Sequence, residues 1–131
     1  MPKFLSTEWL EEMRVAARHW NDSNNAGSIS GVNLCVQEVV ASSDGFEALY
    51  YITIGNGLLD VRSGNAPDPD VTITQDYETA AALHRGDMSA RQAFIDGRLK
   101  VSGKVALVTQ HAETFAMLSN IFAELRAHTT F

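Results

Sequence analysis

The hydrophobic period changes abruptly along this chain. Apolar residues that switch from a spacing of three and four to a spacing of two call for a helix followed by strands that share a core. Leu5, Trp9, Leu10, Met13, Ala16, Ala17 and Trp20 recur at helical spacing and make one apolar stripe. Ser6 or Thr7 stands where an N-cap belongs. From Val32 the period is two: Val32, Leu34 and Val36 alternate with Asn33, Cys35 and Gln37, the mark of a strand with one buried face. Asn21 to Gly31, between them, is crowded with Asn, Ser, Gly and Asp, whose side chains compete for backbone hydrogen bonds and favour a loop.

The rest of the chain follows the same logic. Ser42 to Gly45 reads as a turn and Phe46 to Ile54 as a second strand. Gly55-Asn56-Gly57 then supplies positive φ for a hairpin into a third strand, Leu58 to Arg62. After the Pro-rich link Ala66 to Asp70, Val71 and Ile73 alternate with Thr72 and Thr74 in a fourth strand. Asp76 is placed to cap a helix through Leu83, with Gly86 as its left-handed stop. Ser89 and Gln92 have capping-box spacing for a second short helix, ended by Gly97. Leu99 and Val101 form a fifth strand that ends at Gly103. Over Lys104 to His128, Val105, Val108, Phe115, Leu118, Ile121, Phe122 and Leu125 keep helical spacing, while His111 to Thr114 interrupts the stripe, so one broken helix or two is expected. This order predicts an α/β fold of the α+β kind, with five strands in a largely antiparallel sheet.

Composition bounds the function. With 131 residues, 45% hydrophobic and 20% charged, the chain has the makings of one core, read as a single domain over 1–131. A net charge of −6 opposes nucleic acid and anionic bilayers, and the basic residues come together only at Arg98, Lys100 and Lys104, a weak candidate for an anionic headgroup or partner. Cys35 is the only cysteine, which excludes an intramolecular disulfide and points to a reducing, cytoplasmic compartment. Met1 to Leu10 does not have the pattern of a signal peptide. The longest wholly apolar run, Ala48 to Ile52, is far short of the roughly 20 residues that cross a bilayer, so no stable membrane insertion is expected.

Catalytic signatures are absent from the sequence. His19, His84, His111 and His128 never fall at the spacing that puts two imidazoles on one helical face, so no metal is expected, and His111 with Glu113 reads as a solvated pair near a helix break. There is no Gly-x-Ser-x-Gly elbow, phosphate loop or dinucleotide fingerprint, so neither a cofactor nor an enzymatic activity is expected. Cys35 lies in an alternating strand with no adjacent His or Lys to lower its pKa and reads as inert. Asp60, Asp68, Asp70 and Asp76 are accounted for by a strand, a Pro-rich link and a helix cap.

The stretch Val71 to Leu107 resembles the second half of the sterol carrier protein type 2 (SCP-2) domain. The resemblance rests on Thr72 to Thr74, Asp76, Gly86, Met88, Ala93 and Phe94, Gly97, Leu99 to Val101, and Gly103. Gly31 to Arg62 fits the opening strands by pattern. Ala90 stands where the family often has Pro, and Thr129, Thr130 and Phe131 stand where a peroxisomal Ser-Lys-Leu would be. The resemblance implies a small α/β fold whose sheet is covered on one face by helices, with an apolar tunnel between them for a sterol, fatty acid or fatty acyl-CoA, bound without chemistry. The apolar faces of the strands and helices agree, and the residues expected to line it are Val36, Tyr50, Ile52, Ile73, Leu83, Met88, Phe94, Ile95, Leu99, Val101, Phe115, Leu118 and Phe122. The same residues could instead close into a solid core. The alternative function is a protein-interaction module, or a homodimer, whose apolar cleft receives a helix or tail. The carboxyl-terminal stripe is expected to cover one end of the cavity and to act as its gate.

Overall fold

The computed structural model describes residues 2–23, 31–42, 45 and 47–131. Most of the expected loop between the first helix and first strand, Ser43 and Asp44 of the expected turn, and Phe46 lie outside the described residues.

Helix α1 runs Thr7–Asp22, with Ser6 as N-cap accepting from the Trp9 amide at 3.2 Å. It extends beyond the expected loop boundary because Asn21 has a tertiary partner. Its side chain accepts from Leu59 N and donates to Leu59 O, both at 2.9 Å, pairing with an edge strand as another strand would. Strands β1 (Leu34–Ala41), β2 (Glu47–Gly55) and β3 (Leu58–Ser63) form an antiparallel meander. Asn56 and Gly57, at φ 54° and 74°, make the two-residue turn between β2 and β3.

The chain then crosses to the far side of β1, where β4 (Val71–Asp76) pairs with β1 in parallel. Edge strand β5 (Lys100–Gly103) pairs antiparallel with β4, so the sheet order is β3-β2-β1-β4-β5. Gln37 ties down the crossing link: its side chain donates to Gly64 O at 3.1 Å and accepts from Ala66 N at 2.7 Å. Because side chains alternate along a strand, Gln37 and this link lie on the face opposite Val36 and Glu38. Asp70 clamps the start of β4, accepting from Cys35 N at 2.8 Å while its own amide donates to Cys35 O at 2.9 Å. Gly103 is required here, since at φ 88° a Cβ would stand 2.6 Å from Asp70 O.

Helix α2 (Tyr77–Arg85) starts at Asp76, which accepts from Thr79 N at 2.7 Å, and stops at left-handed Gly86, as the sequence predicts. Helix α3 (Ala90–Ile95) starts at Ser89. The final stripe is indeed broken. It divides into α4 (Ala106–Gln110) and α5 (Ala112–Ala123) around His111, followed by a 3₁₀ turn, Glu124–His128.

The core lies on one face of the sheet. Trp9, Met13 and Ala17 of α1, Ala80 and Ala81 of α2, and Leu118 and Phe122 of α5 pack onto Leu34, Val36, Val40, Tyr50, Ile52, Ile54, Leu59 and Val61. Burying each large apolar side chain contributes about 1.5–3 kcal/mol before ordering costs. The two chain ends meet: Phe4 N donates to Thr130 O at 2.8 Å and Thr130 N to Pro2 O at 2.9 Å. Phe4 packs within 4.9 to 5.5 Å, centroid to centroid, of Trp9, Tyr77, His84 and Phe131.

Candidate functional site

Between sheet and helices lies a cavity of about 200 Å³. Its floor is Val36, Glu38, Tyr50, Ile52, Ile73 and Gln75, all on one face of the three central strands. Its walls are Met13 of α1, Leu83 and His84 of α2, Ala90 of α3, Leu99, and Phe115, Leu118, Ser119 and Phe122 of α5, with Arg126 from the 3₁₀ turn.

Of the residues expected in a tunnel, Val36, Tyr50, Ile52, Ile73, Leu83, Leu99, Phe115, Leu118 and Phe122 are brought together here. Four are not. Phe94 and Ile95, expected to face inward, are 57% and 65% exposed. Helix α3 has only six residues and buries its small Ala93, with the exposed Ala90 lining the cavity; successive residues rotate by about 100°, which carries Phe94 and Ile95 to the outside. Met88 is half-buried, in contact with Arg98 rather than the cavity. Val101 faces the covered side opposite Ile73, but β5 is a four-residue edge strand and the cavity stops short of it.

The cavity also holds polar residues that the sequence reading passed over: Glu38, Gln75, His84, Ser119 and Arg126. Glu38 follows Val36 at a spacing of two, and Gln75 follows Ile73 likewise, so strict alternation along the strands is the signal for both. Gln75 Nε2 donates to Glu38 Oε2 at 2.8 Å. Burial pushes the Glu38 carboxyl from 4.5 up to about 8, against the opposing pull of the Gln75 hydrogen bond. Burial, then the neighbouring Glu38, raises the Tyr50 phenol well above its usual range. His84 is pushed down to about 4, first by burial and then by Arg126, so its imidazole is neutral at pH 7. It packs against the rings of Phe4 and Trp9 at 5.0 and 5.2 Å.

Other sequence candidates do not converge on this site. Cys35 points away from it, and burial followed by Asp70 and Asp68 raises its thiol pKa, the opposite of what a nucleophile requires. Lys104 pairs with Asp70 at 3.4 Å and Arg98 donates to Thr79 Oγ1 at 3.1 Å, so the basic trio forms no single anion site. Among the described residues no three His, Cys, Asp or Glu side chains gather as metal ligands, and no helix is long and apolar enough to cross a membrane. An open groove of about 730 Å³ runs between α1 and the end of α5 with its 3₁₀ turn, lined by Ala16, Trp20, Ile121 and Leu125 among charged residues.

The fold and cavity define a class: a small α+β fold whose helices cover one sheet face and leave a mainly apolar space with a few polar groups on its floor. Comparison with known proteins agrees. The model of the SCP-2 sterol transfer family matches residues 14–116, and the chain belongs to that family. Lipid binding or transfer, in general terms, comes with that membership. A sterol carrier protein 2 from Yarrowia lipolytica is 26% identical, with a TM-score of 0.64 over 73% of this chain and 84% of that one. A palmitated SCP2L2 from Aedes aegypti is 21% identical, with a TM-score of 0.63 over 83% and 93%. A crystal structure of sterol carrier protein 2 is 16% identical but superposes with a TM-score of 0.72 over 93% and 98%, a likeness of fold. No curated protein matches the chain.

Proposed function

We propose that this protein, acting as one domain, binds and carries a lipid-like apolar molecule in the space between its sheet and helices, with no bond made or broken. The observation that carries this reading is the cavity itself: apolar side chains from β1, β2, β4, α1, α2 and α5 leave it unfilled where a solid core would close. Burial of ligand surface against these side chains supplies affinity at roughly 25 cal/mol per Å² before ordering costs. Family membership supports the reading, as do the sterol carrier and palmitated relatives.

The cavity is smaller than the roughly 300 to 1,000 Å³ of drug-sized sites. A sterol or long acyl chain therefore enters only if a wall moves. The wall we assign to that role is α5, whose Phe115, Leu118 and Phe122 line the cavity and whose first turn, at His111, has no side-chain cap. The chain beyond it is held through the pairing of Lys3 with Thr130, so the motion is an outward bow rather than the swing of a free end. Titration with a fluorescent fatty-acyl or sterol probe tests the function. Saturable binding displaced by unlabelled lipid is expected; a well-folded monomer that binds no lipid class would end this reading.

A further inference from the structure

We propose that Glu38 and Gln75 form a polar subsite on the sheet side of the cavity that takes a neutral hydroxyl at the inner end of an amphiphilic ligand and disfavours a carboxylate there. This deepens the carrier reading and rests on it.

Gln75 is 8% exposed and lines the cavity, with its amide nitrogen committed to Glu38. Its other atom, Oε1, is the one buried side-chain nitrogen or oxygen among the described residues with no hydrogen-bond partner in the protein. Native proteins seldom leave such an acceptor unsatisfied, because its desolvation is then uncompensated. A donor carried by the occupant of the cavity would satisfy it.

Glu38 supplies the complementary half. Held neutral at pH 7 by burial, it accepts from Gln75 through Oε2 and keeps a proton to donate from its other oxygen. The pair thus offers one acceptor and one donor, and a hydroxyl answers both by donating to Gln75 and accepting from Glu38. An ether or ester oxygen only accepts. A carboxylate also only accepts, and its charge would sit beside the unpaired Gln75 oxygen and a second carboxyl group. The other titratable groups around the cavity do not reverse this. Tyr50 stays a neutral phenol and His84 a neutral imidazole, while the cation, Arg126, is on the exposed 3₁₀ turn. A carboxylate drawn to Arg126 would lie the other way round, head outward.

Displacement of the neutral fluorophore N-phenyl-1-naphthylamine from the full chain at pH 7, by 1-octanol, octanoate and methyl octyl ether, tests the assignment. Octanol is expected to compete at least about tenfold better than either tail-matched compound, the worth of hydrogen bonds to otherwise unsatisfied buried groups. Gln75→Met should bring the octanol-to-ether ratio close to one while leaving fluorophore binding intact, whereas Glu38→Gln, which keeps both a donor and an acceptor, should preserve the preference. Octanoate competing as well as octanol and losing that affinity in Arg126→Gln would overturn the subsite but not the carrier. So would an octanol-to-ether ratio unchanged by Gln75→Met; if that variant does not fold, the wild-type ratios decide alone. Failure of the fluorophore and of all three compounds to bind would overturn the carrier reading and this subsite with it.

Discussion

Replacing Glu38 with Gln should make the protein more stable at neutral pH, an unusual outcome for a substitution in the wall of a core. The unfolded chain ionises this carboxyl near 4.5, whereas the folded chain holds its proton to about pH 8. Between those values the unfolded state releases a proton that the native state retains, so this group's contribution to stability is complete below pH 4.5 and is lost as pH rises through 8. Each tenfold fall in proton activity across that window costs the native state about 1.4 kcal/mol, which amounts to about 3 kcal/mol at pH 7 and about 5 kcal/mol above pH 8. A Gln side chain has nearly the same shape, retains an oxygen to accept from Gln75 Nε2, and has no proton to lose. Urea unfolding followed by tryptophan fluorescence from pH 4.5 to 8.5 should show the difference between variant and wild type rising from near zero to several kcal/mol. A variant no more stable than wild type at pH 7.5, or a gain that does not vary with pH, would refute the argument by showing that the carboxyl is ionised in the folded protein.

The remaining predictions concern other parts of the fold. Since His84 is pushed from 6.5 down to about 4, the unfolded state binds its proton first, and stability should fall by about 3 kcal/mol as pH drops across that interval; His84→Gln should remove this acid-side slope in a urea series extended down to that lower value. Asn21→Ala removes both hydrogen bonds to Leu59 and should cost about 1–3 kcal/mol by chemical denaturation, with earlier hydrogen exchange at the β3 edge. Phe94→Asp, at an exposed position, should change stability by no more than about 0.5 kcal/mol, whereas Leu118→Asp should unfold the protein; circular dichroism melts of the two variants would expose an error in either direction. Saturating lipid should slow hydrogen exchange over residues 112–127 more than in β1, and equal protection with and without ligand would reject α5 as the moving wall.

Much of the secondary structure was legible because it is written locally. Ser6, Asp76 and Ser89 each cap a helix through a bond to an amide three residues ahead, and Asn56-Gly57 turns a hairpin that few other pairs could. The alternation from Leu34 to Val36 and from Val71 to Ile73 marks the covered face, and the stretch from Val71 to Leu107 carries the family resemblance. What only the tertiary structure decided is which of two surfaces a residue meets. Phe94 has the character of a core residue until α3 is seen to dock by Ala93, because the rotation of a six-residue helix is set by what it packs against and not by its largest side chain. Glu38 and Gln75 were the opposite case: polar residues in strand register with Val36 and Ile73, read past because a carboxyl on an apolar face is expensive. That expense depends on partners 37 residues apart in sequence and on a space left between layers. Periodicity can say which side of a strand a side chain takes, but only packing decides whether a core or a cavity waits there.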